Sequence, residues 1–131
     1  MRSNYVSDIL PIFNCVTPSL DCFAISETHR FPIWWGEGGV QQDAFLMNWG
    51  DFGLLWCNPP FSLLAQVVEK FISDKAEMVL IVPCYKRDQL WWQAIQPYIK
   101  GECHYSPGTE FFEKTGLPFP LTWQVDCFWV D

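Results

Sequence analysis

The run Leu54-Leu55-Trp56-Cys57 is apolar at every position and stops at a double proline. A strand covered on both faces reads this way, and it must end there because proline has no N–H to donate to a ladder. From Ser62 the apolar positions become Leu63, Leu64, Val67, Val68, Phe71 and Ile72. This 3.6-residue repeat predicts an amphipathic helix to about Ser73. Met78-Val79-Leu80-Ile81-Val82 is continuous again and predicts a central, parallel strand. Upstream, Leu20-Asp21-Cys22-Phe23-Ala24 predicts a short buried strand, and Ser7 is placed to cap a short helix to about Phe13, closed by Thr17-Pro18. Downstream, Asp88 is placed to cap a helix carrying Leu90, Trp91, Trp92, Ile95 and Tyr98. Glu102 to Ser106 and Trp123 to Val130 read as two late strands, joined by a Pro- and Gly-rich loop from Pro107 to Leu121.

Alternating strands and helices predict the α/β class, a mostly parallel sheet with a last pair that is antiparallel. In such sheets ligands bind beyond the carboxyl ends of the strands. Three segments fall there: Asp21 to Ala24, the tetrapeptide Asn58-Pro59-Pro60-Phe61, and the loop Pro83 to Arg87. One shared cleft is expected.

Length limits the fold to one domain over residues 1–131. Half the residues are apolar, so a large core is available and disorder is excluded. A net charge of -7 opposes free-standing binding to phosphate backbones. A nucleic-acid partner would then be bound weakly or with help, and Lys86-Arg87 is the one adjacent basic pair able to hold a phosphate. The six cysteines form no CxxC pair and only His29 and His104 stand beside them, so no metal site is expected. Cys22, Cys57 and Cys127 lie in apolar runs, as small hydrophobes in a reduced compartment do. Met1-Arg2-Ser3-Asn4 leads into a mixed segment with Asp8, and no apolar run is long enough to span a bilayer. The expectation is a soluble intracellular chain, cytoplasmic or nuclear, with no membrane partner.

The tetrapeptide carries the chemistry. The Asn58 side-chain oxygen and the Pro59 carbonyl can both accept from one amino group, and the prolines hold the backbone so that neither acceptor has to reorganise. Phe61 offers a ring on which a planar base can stack, a contact of roughly 1–3 kcal/mol. The plainer alternative is a strand-ending turn with Phe61 in the core. Asp21 is either a cofactor-facing carboxylate or a strand-end residue bonding local amides, and Asp43 either contacts a ligand or caps a turn. Of Trp34-Trp35 and Trp91-Trp92, at most one of each pair serves one surface, with the other in the core. His29 and His104 show no identifiable partners.

In order along the chain, Leu20-Asp21-Cys22-Phe23-Ala24, Trp34-Trp35, Asp43-Ala44-Phe45, Trp49, Asn58-Pro59-Pro60-Phe61-Ser62-Leu63-Leu64, Val79-Leu80-Ile81-Val82-Pro83, Trp91-Trp92 and Pro118-Phe119-Pro120 resemble the phage-type Dam (DNA adenine-N6) methyltransferase family. They resemble most of all the Dam-like domain of DIRS-type retrotransposon polyproteins. That resemblance implies a Rossmann-like class I methyltransferase core using S-adenosylmethionine, DNA as substrate, and other polyprotein domains as partners. It places Asn58, Pro59, Pro60 and Phe61 at the target base, and Asp21, Phe23, Ala24 and Asp43 beside the cofactor. Tyr5 and Ser7 stand where the family has an aromatic-x-Thr-Pro motif that also contacts cofactor. One departure is plain: Ala24-Ile25-Ser26 follows the first strand where many methyltransferases have a Gly-rich turn, and the glycine cluster comes later, at Gly36 to Gly39. This departure and the acidic charge support an alternative, a catalytically eroded nucleic-acid-binding or assembly module of a retrotransposon or phage protein.

Overall fold

The structure, a computed structural model, describes residues 18–24, 29, 31–83, 89–107, 112–114, 117–119 and 124–131. The expected first helix, Tyr5, Ser7, and Lys86-Arg87 lie outside the described residues.

Seven strands and two helices are present among the described residues: β1 (Leu20–Asp21), β2 (Leu54–Cys57), α1 (Leu64–Asp74), β3 (Glu77–Pro83), α2 (Leu90–Ile95), β4 (Ile99–Tyr105), β5 (Phe112–Lys114), β6 (Leu117–Phe119) and β7 (Val125–Val130). Five of the strands form one sheet in the order β1-β2-β3-β7-β4. β1, β2 and β3 run parallel; β7 runs antiparallel to both β3 and β4. The chain is therefore mixed α/β, with one reversed strand inserted among parallel ones. The late strands pair as expected, but β7 also slots against β3, through the register Pro83↔Val125 to Met78↔Val130. Met78 to Val82 of β3 are buried at every position, and the strand has a hydrogen-bonded neighbour on each side. The segment expected to be a plain loop before β7 contains the β5–β6 hairpin.

Local chemistry accounts for the elements. All four residues of β2 are buried, and the strand is paired on both edges. Asn58 and Pro59 follow, and the ladder ends where the N–H donor is lost. A 3-10 turn over Phe61–Leu63, opened by Pro60, leads into α1. The helix buries Leu64, Val67, Val68 and Phe71, the one-sided stripe of a 3.6 repeat, against the sheet. It ends at Lys75 in the left-handed region (φ 53°), where Lys75 and Ala76 N–H groups turn back to Ile72 and Phe71 carbonyls.

Asp74, at the last turn of α1, ties the helix to the segment that precedes β2. Its Oδ2 accepts from the Trp49 backbone N–H at 2.9 Å and pairs with Lys70 Nζ at 2.9 Å. Trp49 is completely buried, and its indole N–H donates to the Ala44 carbonyl. Lys70 Nζ lies 5.6 Å from the Trp49 ring centroid, within cation–π reach. Burial opposes charge on Asp74, but Lys70 and the Trp49 N–H outweigh it and hold the carboxyl below its ordinary value. A depressed folded pKa contributes stability above the unfolded value of ~3.9 and loses it as pH falls through the folded one. Asp74→Asn should accordingly cost about 1 kcal/mol at pH 7 in urea unfolding. The gap to the wild type should close as the pH is taken below ~3.9; a gap constant with pH would show that the carboxylate charge contributes nothing.

Candidate functional site

At the carboxyl edge of the parallel strands a cleft of about 690 Å³ opens between the ends of β1 and β2, within the size range of small-molecule sites. Phe23 and Ala24 line it from the end of β1, Asp43 and Phe45 from the turn before β2, and Asn58, Pro59, Pro60 and Phe61 from the end of β2. Three stretches far apart in sequence thus line one cleft. Cys22, within the Asp21–Ala24 segment expected there, and Trp35, one of the pair weighed for a surface role, also line it, together with Gly36, Gln42, Ala44 and Leu63, which sequence reading had not assigned to the site.

Each stretch is positioned by a specific constraint. Past β1 the chain stays tethered on both sides: Cys22 N–H donates to the Trp56 carbonyl at 2.9 Å, and Ala24 N–H to the Trp35 carbonyl at 3.1 Å. The segment around Trp34 lies parallel alongside β1, with Asp21 N–H bonded to Ile33 carbonyl and Trp35 N–H to Asp21 carbonyl. Sequence reading did not foresee this extra edge, because a bridge so short leaves no periodic pattern. It places Gly36 (φ 142°) against the turn after β1, where a side-chain Cβ would stand 1.6 Å from the Ala24 carbonyl oxygen. A glycine does sit at the end of the first strand, then, but it arrives from twelve positions downstream of Ala24.

Asp43 lies on the cleft wall and also caps a 3-10 turn over Ala44–Leu46, its Oδ1 accepting from Phe45 N–H at 2.9 Å. The cap of the turn is therefore formed, and the same residue lines the cleft. Asp21 is buried, 3% exposed, and stands behind the lining rather than in it. Phe23 and Phe45 are held by a cluster with Trp49, with ring centroids 5.6 Å apart between the two phenylalanines and 6.2 and 6.0 Å to the indole. Such a buried anchor keeps two half-buried rings on the cleft wall at little entropic cost.

On the opposite wall Pro59 is buried, Pro60 exposed, and Asn58 and Phe61 half-buried. Leu63 N–H closes the turn onto the Pro60 carbonyl at 2.9 Å. Among the described residues, none hydrogen-bonds the Asn58 amide. A polar amide on a proline-stiffened corner, facing an apolar cleft with aromatic walls, suits a planar ligand bearing a hydrogen-bond donor. Among the described lining residues there is no Lys or Arg.

The remaining candidates sit elsewhere. Trp35 is buried and lines the cleft, whereas Trp34 stacks on His29 with centroids 3.9 Å apart. Trp91 is buried and Trp92 packs on Phe128, so this pair belongs to the core. His104 has partners that sequence reading missed: Nδ1 lies 2.5 Å from Asp126 Oδ1, and Nε2 3.1 Å from Glu102. Burial opposes its protonation, but the two carboxylates outweigh that and raise its pKa. No group of three or more His, Cys, Asp or Glu side chains among the described residues is placed to hold a metal ion, and no helix there is long and apolar enough to cross a membrane.

Gly36→Ala should destabilise the fold by at least about 2 kcal/mol, since strain at positive φ and overlap with Ala24 add together. Gly53→Ala is the control: φ is 68° there, with nothing within 4 Å of an added Cβ. Its cost should stay near ~1 kcal/mol. Equal losses in urea unfolding would disprove the close approach of Gly36 to Ala24.

Comparison with known proteins leaves the site to be read from its own chemistry: no family model, no curated protein and no solved structure matches the chain.

Proposed function

We propose that this domain is a methyltransferase-like catalyst that uses S-adenosylmethionine to methylate the exocyclic amine of a flipped-out adenine in DNA, within a Rossmann-like class I core. One observation carries the reading: Phe23-Ala24, Asp43-Phe45 and Asn58-Pro59-Pro60-Phe61 line a single cleft at the carboxyl ends of two adjacent parallel strands of a mixed sheet. These are the stretches on which the resemblance to phage-type Dam enzymes rests.

The fit of the cofactor is supported by the cleft's first half. Phe23, Phe45 and Trp35 give apolar faces for an adenosine, and Asp43 and Gln42 give polar contacts on the same wall. Gly36 lets its own segment pack against the Ala24 backbone and so brings Trp35 and Gly36 into the lining beside Ala24. Bound there, S-adenosylmethionine supplies an electrophilic methyl group on a sulfonium.

The second half of the cleft holds the acceptor. The Asn58 side-chain oxygen and the Pro59 carbonyl accept the two N–H bonds of the amine, which turns its lone pair out of conjugation with the ring. Proline rigidity at positions 59 and 60 fixes these acceptors before the substrate arrives. Phe61 stacks on the extruded base and offsets part of the cost of flipping it. The apolar walls keep water away from the reacting nitrogen.

A specific observation favours the second reading, a catalytically eroded nucleic-acid-binding or assembly module of a retrotransposon or phage protein: a net charge of -7 with no basic residue in the described cleft lining. Assistance to DNA binding would come from Lys86-Arg87 or from other domains of a polyprotein. Transfer of labelled methyl groups from S-adenosylmethionine to adenine-containing oligonucleotides, single-stranded and duplex, separates the two. The enzyme reading expects adenine-dependent incorporation. Asn58→Ala should lower it by at least about 100-fold while cofactor affinity changes little. Equal activity in Asn58→Ala would place the chemistry elsewhere. Oligonucleotide binding without any incorporation would favour the eroded module.

A further inference from the structure

Two pairs of cysteines face one another across neighbouring strands. Cys103 on β4 and Cys127 on β7 are direct register partners in an antiparallel ladder. Cys22 and Cys57 continue the parallel register Leu20↔Leu55 and Asp21↔Trp56. Opposed residues of an antiparallel pair have Cα atoms about 4.5 or 5.5 Å apart. A disulfide needs roughly 4.4–6.8 Å. The register thus puts the Cα atoms of Cys103 and Cys127 within the span of a disulfide.

The pairs differ in access. Cys22 and Cys57 are both fully buried. Cys127 is buried as well, but Cys103 is half-buried on the outer strand of the sheet. The chemistry of the two thiols differs in the same sense. A hydrogen bond from Cys127, aided by the neighbouring His104 and opposed by burial, holds the Cys103 thiol below its ordinary value. Burial pushes the Cys127 thiol up, and likewise that of Cys22. An accessible sulfur with increased thiolate character beside a shielded partner has the division of labour of an attacking and a resolving thiol.

We propose that Cys103 and Cys127 form a reversible thiol–disulfide site that reacts with low-molecular-weight disulfides. The Cys103 thiolate attacks one sulfur of the small disulfide, forming a mixed disulfide and expelling one thiolate. Cys127 then loses its proton and attacks the Cys103 sulfur, which forms the Cys103–Cys127 bond and expels the second thiolate. Two electrons pass from the protein to the small disulfide, and the two protons end on its released thiols. The bond fastens the outer strand β4 to β7 and closes residues 104–126, with the β5–β6 hairpin, into a loop. Restricting the unfolded chain in this way raises the melting temperature of the oxidised form.

The test uses the full chain, reduced, freed of reductant and exposed while native to oxidised glutathione. It is then quenched with acid, alkylated after denaturation and mapped by peptide mass spectrometry. Cys103 and Cys127 should be recovered as one dithiothreitol-reversible linked peptide, with Cys22 and Cys57 alkylated and the melting temperature raised by several degrees. Cys127→Ser should stop at a glutathione adduct on Cys103, and Cys103→Ser should carry neither adduct nor link at these positions. The proposal is overturned if both cysteines are alkylated in the treated wild type, if Cys103 is linked to another cysteine, or if Cys22–Cys57 oxidises first. Should Cys127→Ser fail to fold, the wild-type peptide map decides alone.

Discussion

Proline cannot donate to a ladder, and β2 has a hydrogen-bonded neighbour on both sides. Pro59 therefore ends the strand inside the sheet rather than at its margin, and the chain must leave the sheet plane at Asn58. β1 is released from its ladder at the same edge after Asp21, held only by single bonds to Trp56 and Trp35. The cleft is the gap that two adjacent strands leave when both stop while their neighbours continue. Its polar corner sits on a strand end and the 3-10 turn that leads into α1, elements that position a site more closely than a free loop does.

Much of this was legible in the sequence. The continuous apolar runs at Leu54 and Met78 announced strands covered on both faces, and the stripe Leu64, Val67, Val68, Phe71 announced the helix between them. The double proline marked the one place where β2 had to stop. From those local rules alone, Phe23-Ala24 and the Asn58 tetrapeptide fall at the same edge. Asp43 illustrates the limit of such reading, since the spacing that places it on the cleft wall is also the spacing of a cap for Phe45.

What sequence reading missed is held by pairings between distant residues. An apolar run tells that a strand has two covered faces but not which strand lies next to it, so the insertion of β7 between β3 and β4 left no signature. Gly36 looked like part of a flexible Gly-rich stretch, and only its approach to Ala24 gives it a role. His104 and Asp126 are 22 residues apart and meet solely because β4 and β7 are in register. Asp21 was read either as facing a cofactor or as a strand-end residue bonding local amides; its main chain is engaged with the segment around Trp34, and the residue is buried and not among those lining the cleft.

The cleft and the charge of the whole chain make different physical demands. An apolar, aromatic-walled cleft suits a neutral planar ring, while the acidic chain as a whole opposes a phosphate backbone. Binding of the proposed cofactor would rely on the first of these alone, and so it is the more direct question. Amide NMR of the intact chain during titration with S-adenosylhomocysteine, the demethylated product, answers it. Saturable shifts clustered at Phe23, Ala24, Trp35, Gly36, Gln42, Asp43 and Phe45 are the predicted result. A spectrum unchanged at saturating ligand, or shifts confined to residues away from the cleft, would contradict it.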